Sequence, residues 1–118
     1  MVFTIERIVM SQPESKLSRR IMDELRLEGY FCYKVHGDEY TMVGLPDIIV
    51  CAEGLFIGLE VKMPTTRSHV SPRQVYVAGL ITNAGGKATV VCSPKEALNF
   101  IRNVLANRPN QITPKGNA

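Results

Sequence analysis

Apolar residues recur at three- and four-residue spacing in three stretches of the chain. Each stretch opens on a serine followed three positions later by glutamate or glutamine: Ser11-Gln12-Pro13-Glu14, Ser71-Pro72-Arg73-Gln74 and Ser93-Pro94-Lys95-Glu96. A capping box of this kind satisfies orphan amides at a helix start, and proline is tolerated in the first turn. The first predicted helix carries Leu17, Ile21 and Leu25 and ends near Gly29. The second carries Ala78 and Ile81 and ends at Gly85-Gly86. The third carries Ala97, Leu98, Ile101, Val104 and Leu105. Between them lie runs rich in β-branched and aromatic residues: Tyr30 to His36, Asp47 to Cys51, Leu55 to Lys62 and Lys87 to Cys92. The second run is nearly all apolar, as a strand covered on both faces would be. The pattern predicts an α/β fold in the order αβββαβα. The alternation over Val2 to Ile5 would suit an additional edge strand.

Composition sets the class without narrowing the function. The chain has 118 residues, 45% hydrophobic and 21% charged, a balance that suits one globular domain. We place that domain at residues 1–107 and expect a flexible tail over 108–118, where Pro109, Pro114 and Gly116 fall. The net charge of +3 suits a polyanionic partner but does not identify one. Cys32, Cys51 and Cys92 are widely separated with no CxxC spacing, which argues against zinc; each reads as a small buried hydrophobe. Met1 to Met10 lacks the organisation of a signal peptide, and no apolar run approaches the roughly 20 residues needed to span a bilayer. The expectation is a soluble, cytoplasmic protein.

The chemistry is concentrated in one predicted hairpin. With Glu53 and Gly54 as its two central turn residues, Ala52 pairs with Leu55, and counting outward sets Asp47 opposite Glu60. Directly opposed side chains share a sheet face, with Cβ atoms about 4.5–5.5 Å apart. Lys62 shares that face because strand side chains alternate, while Leu55, Ile57, Leu59 and Val61 point into the core. Two opposed carboxylates repel, so something must offset the repulsion. They share a proton, or Lys62 neutralises part of the charge, or a divalent cation sits between them. Two carboxylates plus water oxygens suit Mg²⁺. A solvated strand end, with Glu60 and Lys62 merely polar, is the plain alternative, and a one-residue slip would put Asp47 on the other face.

Gly44-Leu45-Pro46-Asp47 followed by Glu60-Val61-Lys62 resembles the bipartite PD…ExK signature of the PD-(D/E)xK nuclease superfamily. Tyr33-Lys34, Gly44 and Ser71-Pro72-Arg73-Gln74 make the chain most similar to the VRR-NUC branch, over about Glu14 to Ser93. The resemblance implies a restriction-endonuclease-like core, with a mixed four-stranded sheet flanked by helices. It implies a metal-dependent endodeoxyribonuclease in which Asp47, Glu60 and the Val61 carbonyl hold Mg²⁺ or Mn²⁺. Lys62 would orient or deprotonate the attacking water. It also implies a further acidic residue on the first helix, here Glu14, and a glutamine near the site, here Gln74. Both of these residues are equally explained as members of capping boxes.

DNA contacts are expected from Lys34, from Arg67 and His69 in the loop after Lys62, from Arg73, and from Lys16 and Arg19 on the first helix; a solvated surface is the ordinary alternative for each. Arg20 shares the latter surface, and His36 reads as a loop histidine. Standalone members of the VRR-NUC branch resemble Holliday-junction resolvases, which implies a homodimer acting on branched DNA. The apolar arm Val2, Phe3, Ile5, Ile8 and Val9 is a candidate interface, or packs on its own sheet edge. An inactive DNA-binding module and a non-selective nuclease are the rival readings.

Overall fold

A computed structural model describes the backbone of residues 2–109 and the side chains of residues 13–109. Eight elements follow one another: helix α1 (Val2–Leu27), strands β1 (Phe31–Lys34), β2 (Ile48–Ala52) and β3 (Leu55–Val61), a 3₁₀ turn (Pro64–Thr66), helix α2 (Pro72–Asn83), strand β4 (Lys87–Val91) and helix α3 (Pro94–Ala106). The strands form one sheet in the order β1-β2-β3-β4. The first three are antiparallel neighbours and β4 runs parallel to β3. A parallel neighbour requires a crossover, and α2 is that crossover. The expected α/β architecture, a mixed four-stranded sheet flanked by three helices, is the one observed.

Two helix ends are set by glycine. Gly29 (φ 88°) and Gly85 (φ 102°) occupy the left-handed region. The amide after each reaches back five residues: Tyr30 N–H to the Leu25 carbonyl (3.1 Å) and Gly86 N–H to the Ile81 carbonyl (2.9 Å). These are Schellman closures, which satisfy carbonyls left over at a helix end.

Helix α1 departs from expectation. It runs unbroken from Val2, with Pro13 inside it, so no edge strand forms at Val2–Ile5 and Ser11 does not cap a helix start. The reason lies in a competing period. Val2, Ile5, Ile8 and Val9 also recur at helical spacing, and that repeat continues into Leu17, Ile21 and Leu25. The side chains of the expected interface arm (2, 3, 5, 8 and 9) lie outside the described residues, as does the tail from 110 onward. Arg108, the start of that tail, donates to the Glu53 carbonyl at 3.1 Å.

The core lies on one face of the sheet. Ile48, Val50, Ile57, Leu59, Val61 and Val91 meet Leu17, Ile21, Leu25, Ala97 and Ile101 of α1 and α3, all buried. Helix α2 packs on the opposite face, over β4 and the adjoining part of β3. It leaves the β1–β2 half of that face bare, where Phe31 and Tyr33 are exposed and pair with Cys51 and Ile49. Cys51 is therefore exposed rather than a buried hydrophobe, and β2 is covered on one face only. Cys32 and Cys92 are buried and free, as expected. Among the described residues no helix is long and apolar enough to cross a membrane.

Candidate active site

The site begins at a turn remote from it. Glu53 (φ 51°) and Gly54 (φ 81°) both adopt left-handed backbone, as the two-residue hairpin turn compatible with strand twist requires. The ladder then runs Ala52↔Leu55, Cys51↔Phe56, Val50↔Ile57, Ile49↔Gly58 and Ile48↔Leu59. One step further, Asp47 faces Glu60. The register expected from the sequence is the register observed.

Past Ile48 the chain leaves the ladder. Pro46 folds over Gly58, where a Cβ would lie 2.5 Å from the proline Cγ. Only glycine leaves room for that approach, and the approach fixes where Asp47 begins. Gly44 (φ 93°) is constrained twice, since a Cβ there would lie 2.6 Å from the Arg73 carbonyl oxygen at the start of α2. The Arg73 side chain closes the same contact by donating Nε–H to the Val43 carbonyl (3.1 Å). The Gly-x-Pro-Asp spacing thus has a packing cause: it docks the segment before Asp47 against both β3 and α2.

Four polar groups converge at this end of the sheet. Asp47 Oδ2 accepts from the Val61 amide at 2.7 Å. Glu60, 9% exposed, accepts at Oε2 from Gln74 Nε2 (2.7 Å) and has Lys62 Nζ at 3.7 Å from the same oxygen. The Glu60 carboxyl is pushed up to about 8, first by burial and then by the charge and hydrogen bond of Asp47, with Lys62 pulling the other way. Burial and the neighbouring Asp47 thus favour the protonated Glu60 carboxyl, and Lys62 offsets part of the charge between the acids.

Val61 supplies a further oxygen. The Val35 amide donates to the Asp47 carbonyl (2.8 Å), so the Asp47 backbone is directed at β1. Alternation along antiparallel strands then directs the Val61 amide and carbonyl together toward β2. The amide is taken by the Asp47 carboxylate rather than by a strand carbonyl. The Val61 carbonyl points to the same side, past the last ladder pair, where β2 offers no further amide.

Among the described residues no group of three or more His, Cys, Asp or Glu side chains gathers. A cation here would rest on two carboxylates, the Val61 carbonyl and water. Mg²⁺ keeps several waters and binds through one or two carboxylates, so the donor set fits that ion.

Gln74 serves two purposes at once. Ser71 and Gln74 form the complete capping box of α2, with Gln74 Oε1 accepting from the Ser71 amide (2.9 Å) and Ser71 Oγ accepting from the Gln74 amide (3.1 Å). The amide oxygen faces the cap and the amide nitrogen faces Glu60. Ser93 also caps its helix, accepting from the Glu96 amide (3.1 Å). The Glu96 carboxylate does not close that box; it accepts from the Cys92 amide (2.8 Å) and pairs with Arg67.

The other candidates are dispersed. Glu14 is half-buried on α1, in line with the buried Ser18 and Ile21, and has no hydrogen bond or ion pair with Asp47, Glu60 or Lys62. Lys34 pairs with Ile48 and so lies on the face opposite Asp47, its Nζ 3.4 Å from the Val35 carbonyl. Arg67 is half-exposed and held by Glu96. His69 is exposed, with its amide donating to Thr66 (2.9 Å). The Arg73 guanidinium lies over Tyr76, 5.1 Å from the ring centre. Lys16 and Arg19 are exposed on α1. Gly58 is the positioning residue absent from the expected set; an isolated glycine inside the run Leu55 to Val61 was its signal, since such glycines mark close backbone approach.

Comparison with family models, with curated proteins and with solved structures gives no match to this chain.

Proposed function

We propose that this chain is a metal-dependent DNA endonuclease of the VRR-NUC type within the PD-(D/E)xK superfamily, selective for branched DNA. One observation carries the reading: Asp47 and Glu60 meet at the end of a hairpin beside Lys62, with the Val61 amide bonded to the Asp47 carboxylate. Asp47, Glu60 and the Val61 carbonyl would hold a divalent cation, Mg²⁺ or Mn²⁺, which would supply Lewis acidity. Gln74 holds Glu60 in the orientation this needs. The Lys62 ammonium orients the attacking water and offsets the charge that builds on the phosphoryl oxygens as the bond to the leaving oxygen breaks.

Selectivity for branched DNA is the part of the reading that rests on the VRR-NUC resemblance: two symmetric cuts in a junction need two sites, which a C₂ homodimer would supply. The bare apolar half-face carrying Phe31, Tyr33 and Phe56 supports a dimer.

The test is cleavage of linear, flapped and four-way DNA in Mg²⁺ or Mn²⁺. We expect the branched substrates to be cut preferentially. Asp47→Asn and Lys62→Ala should each lower cleavage by at least a hundredfold while junction binding persists. Near-normal cleavage by either variant would refute the assignment. Binding without cleavage by the unaltered chain would favour an inactive binding module, and equal cutting of all three substrates a non-selective nuclease.

A further inference from the structure

A second polar hollow lies across the sheet from the carboxylates, between α1 and the end of β1. It has a volume of about 400 Å³ and is lined by Ser15, Ser18, Arg19, Arg26, Lys34 and His36, with Met22 as its apolar wall. Three cationic side chains, a histidine and two hydroxyls face one space, and among the described residues no acidic side chain lines it. The ion pairs among the described residues engage Lys62, Arg67 and Arg102, so Arg19, Arg26 and Lys34 have no carboxylate partner there. Arg26 and Lys34 touch only neutral backbone, the carbonyls of Cys32 (3.3 Å) and Val35 (3.4 Å).

Ser18 is the second observation. It is 3% exposed, yet its hydroxyl has no hydrogen bond within the described residues. The Thr82 hydroxyl on α2, by contrast, is satisfied by the Ala78 carbonyl at 2.9 Å. A buried hydroxyl left unpaired among cations lacks an acceptor, and an anion in the hollow would supply one. The hollow and the carboxylates lie at the same end of the sheet, on its two faces: Lys34 pairs with Ile48, and the next amide, Val35, bonds to the Asp47 carbonyl.

We infer that the hollow between α1 and β1 is a phosphate-binding pocket that takes a non-scissile backbone phosphate of the nucleic-acid strand whose neighbouring phosphate lies at Asp47 and Glu60. The pocket itself follows from its own residues; naming a nucleic-acid strand as the source of the phosphate rests on the nuclease reading. Arg19 and Lys34 supply the charge, and Ser18 donates one directional bond. A tetrahedral oxyanion accepts from all of them at once.

The experiment uses metal-free full-length protein in two arms. In the first, inorganic phosphate is titrated and followed by NMR; saturable shifts are expected over Ser15–Arg26 and Lys34–His36 and should be lost in an Arg19→Gln/Lys34→Gln variant. In the second, binding of a DNA duplex is measured across a salt series. The same variant should weaken binding several-fold and reduce the slope of log K against log salt by about 0.9, the value of one phosphate contact. Lys87→Gln/Lys95→Gln removes equal charge outside the hollow, at two exposed residues, and is the control; Ser18→Ala removes the hydroxyl alone and should weaken phosphate binding at unchanged net charge.

An equal effect from the control pair would overturn the pocket, as would the absence of saturable shifts. Phosphate shifts without any change in DNA binding would overturn the strand assignment and leave free phosphate as the ligand. Loss of all cleavage in Mg²⁺ by the unaltered protein, with both arms behaving as expected, would sink the nuclease reading and leave the pocket standing.

Discussion

The Gln74 amide illustrates how one side chain can hold two structures together. Its oxygen caps α2 and its nitrogen holds Glu60, so removing it should affect both stability and turnover. Ser71→Ala separates the two. It removes the cap bond to the Gln74 amide but leaves the Gln74–Glu60 contact in place, and should lower stability by about 1 kcal/mol with cleavage nearly unchanged. Gln74→Ala should cost a similar amount of stability and lower cleavage about tenfold or more; thermal unfolding and single-turnover rates on the two variants distinguish a positioning residue from a cap. Glu60 makes a second prediction, in pH. Its carboxyl lies at about 8 in the folded chain against 4.5 ordinarily, raised by burial and by Asp47. Between those values the folded state binds more protons than the unfolded one, so stability falls as pH rises. In EDTA the protein should be most stable toward the acid end of that window and lose this contribution as pH passes through about 8. Glu60→Gln should flatten the dependence, which melting curves at pH 6 and pH 9 would show. An unchanged slope in that variant would mean another group is responsible.

At the scale of elements, the hairpin was legible because Glu53-Gly54 suits a two-residue turn. That turn sets Asp47 opposite Glu60, and the left-handed backbone at both residues and the ladder bear out this register over a one-residue slip. The second and third helices were legible for the same local reason, since each opens on a serine cap and the second also closes on glycine. Helix α1 was not, because its serine-proline signature and its apolar period disagree, and the period prevailed across Pro13. The side of the sheet on which Lys34 lies could be counted only once the β1–β2 pairing was in hand; the pairing puts it away from the carboxylates. Gly58 shows how an element sets the site from a distance. Gly58→Ala would push its methyl group into Pro46, an overpacking cost of about 1–3 kcal/mol, and should shift Asp47. Cleavage should therefore fall more than DNA affinity does. A variant that keeps wild-type cleavage would show that Pro46 can move without Asp47.

For the whole molecule, the sheet has an apolar half-face that no helix covers. Phe31, Tyr33 and Phe56 are 66%, 56% and 44% exposed there, with Cys51 exposed among them. Exposed aromatic residues gathered on one flat face mark an interaction surface. If that surface joins the two copies of the proposed dimer, Tyr33→Glu should convert it to monomer in sedimentation equilibrium, with the fold retained by circular dichroism. A monomeric unaltered protein at micromolar concentration would remove the two-site account of junction cutting. The half-face is on the α2 side, and the cationic hollow is under α1 on the other, so pairing through the one leaves the other open.

The unbroken ladder from Ala52↔Leu55 to Ile48↔Leu59 has a consequence for how the chain can change in length. Losing one residue from β3 ahead of Glu60 would reverse the parity of everything after it, burying the carboxylate where Leu59 now packs and turning Val61 outward. Losing two would restore the facing but leave the carboxylate two pairs out of step with Asp47. Insertions at the Glu53-Gly54 tip leave both strands in phase. Length variation in this hairpin is therefore confined to its far end, away from the chemistry.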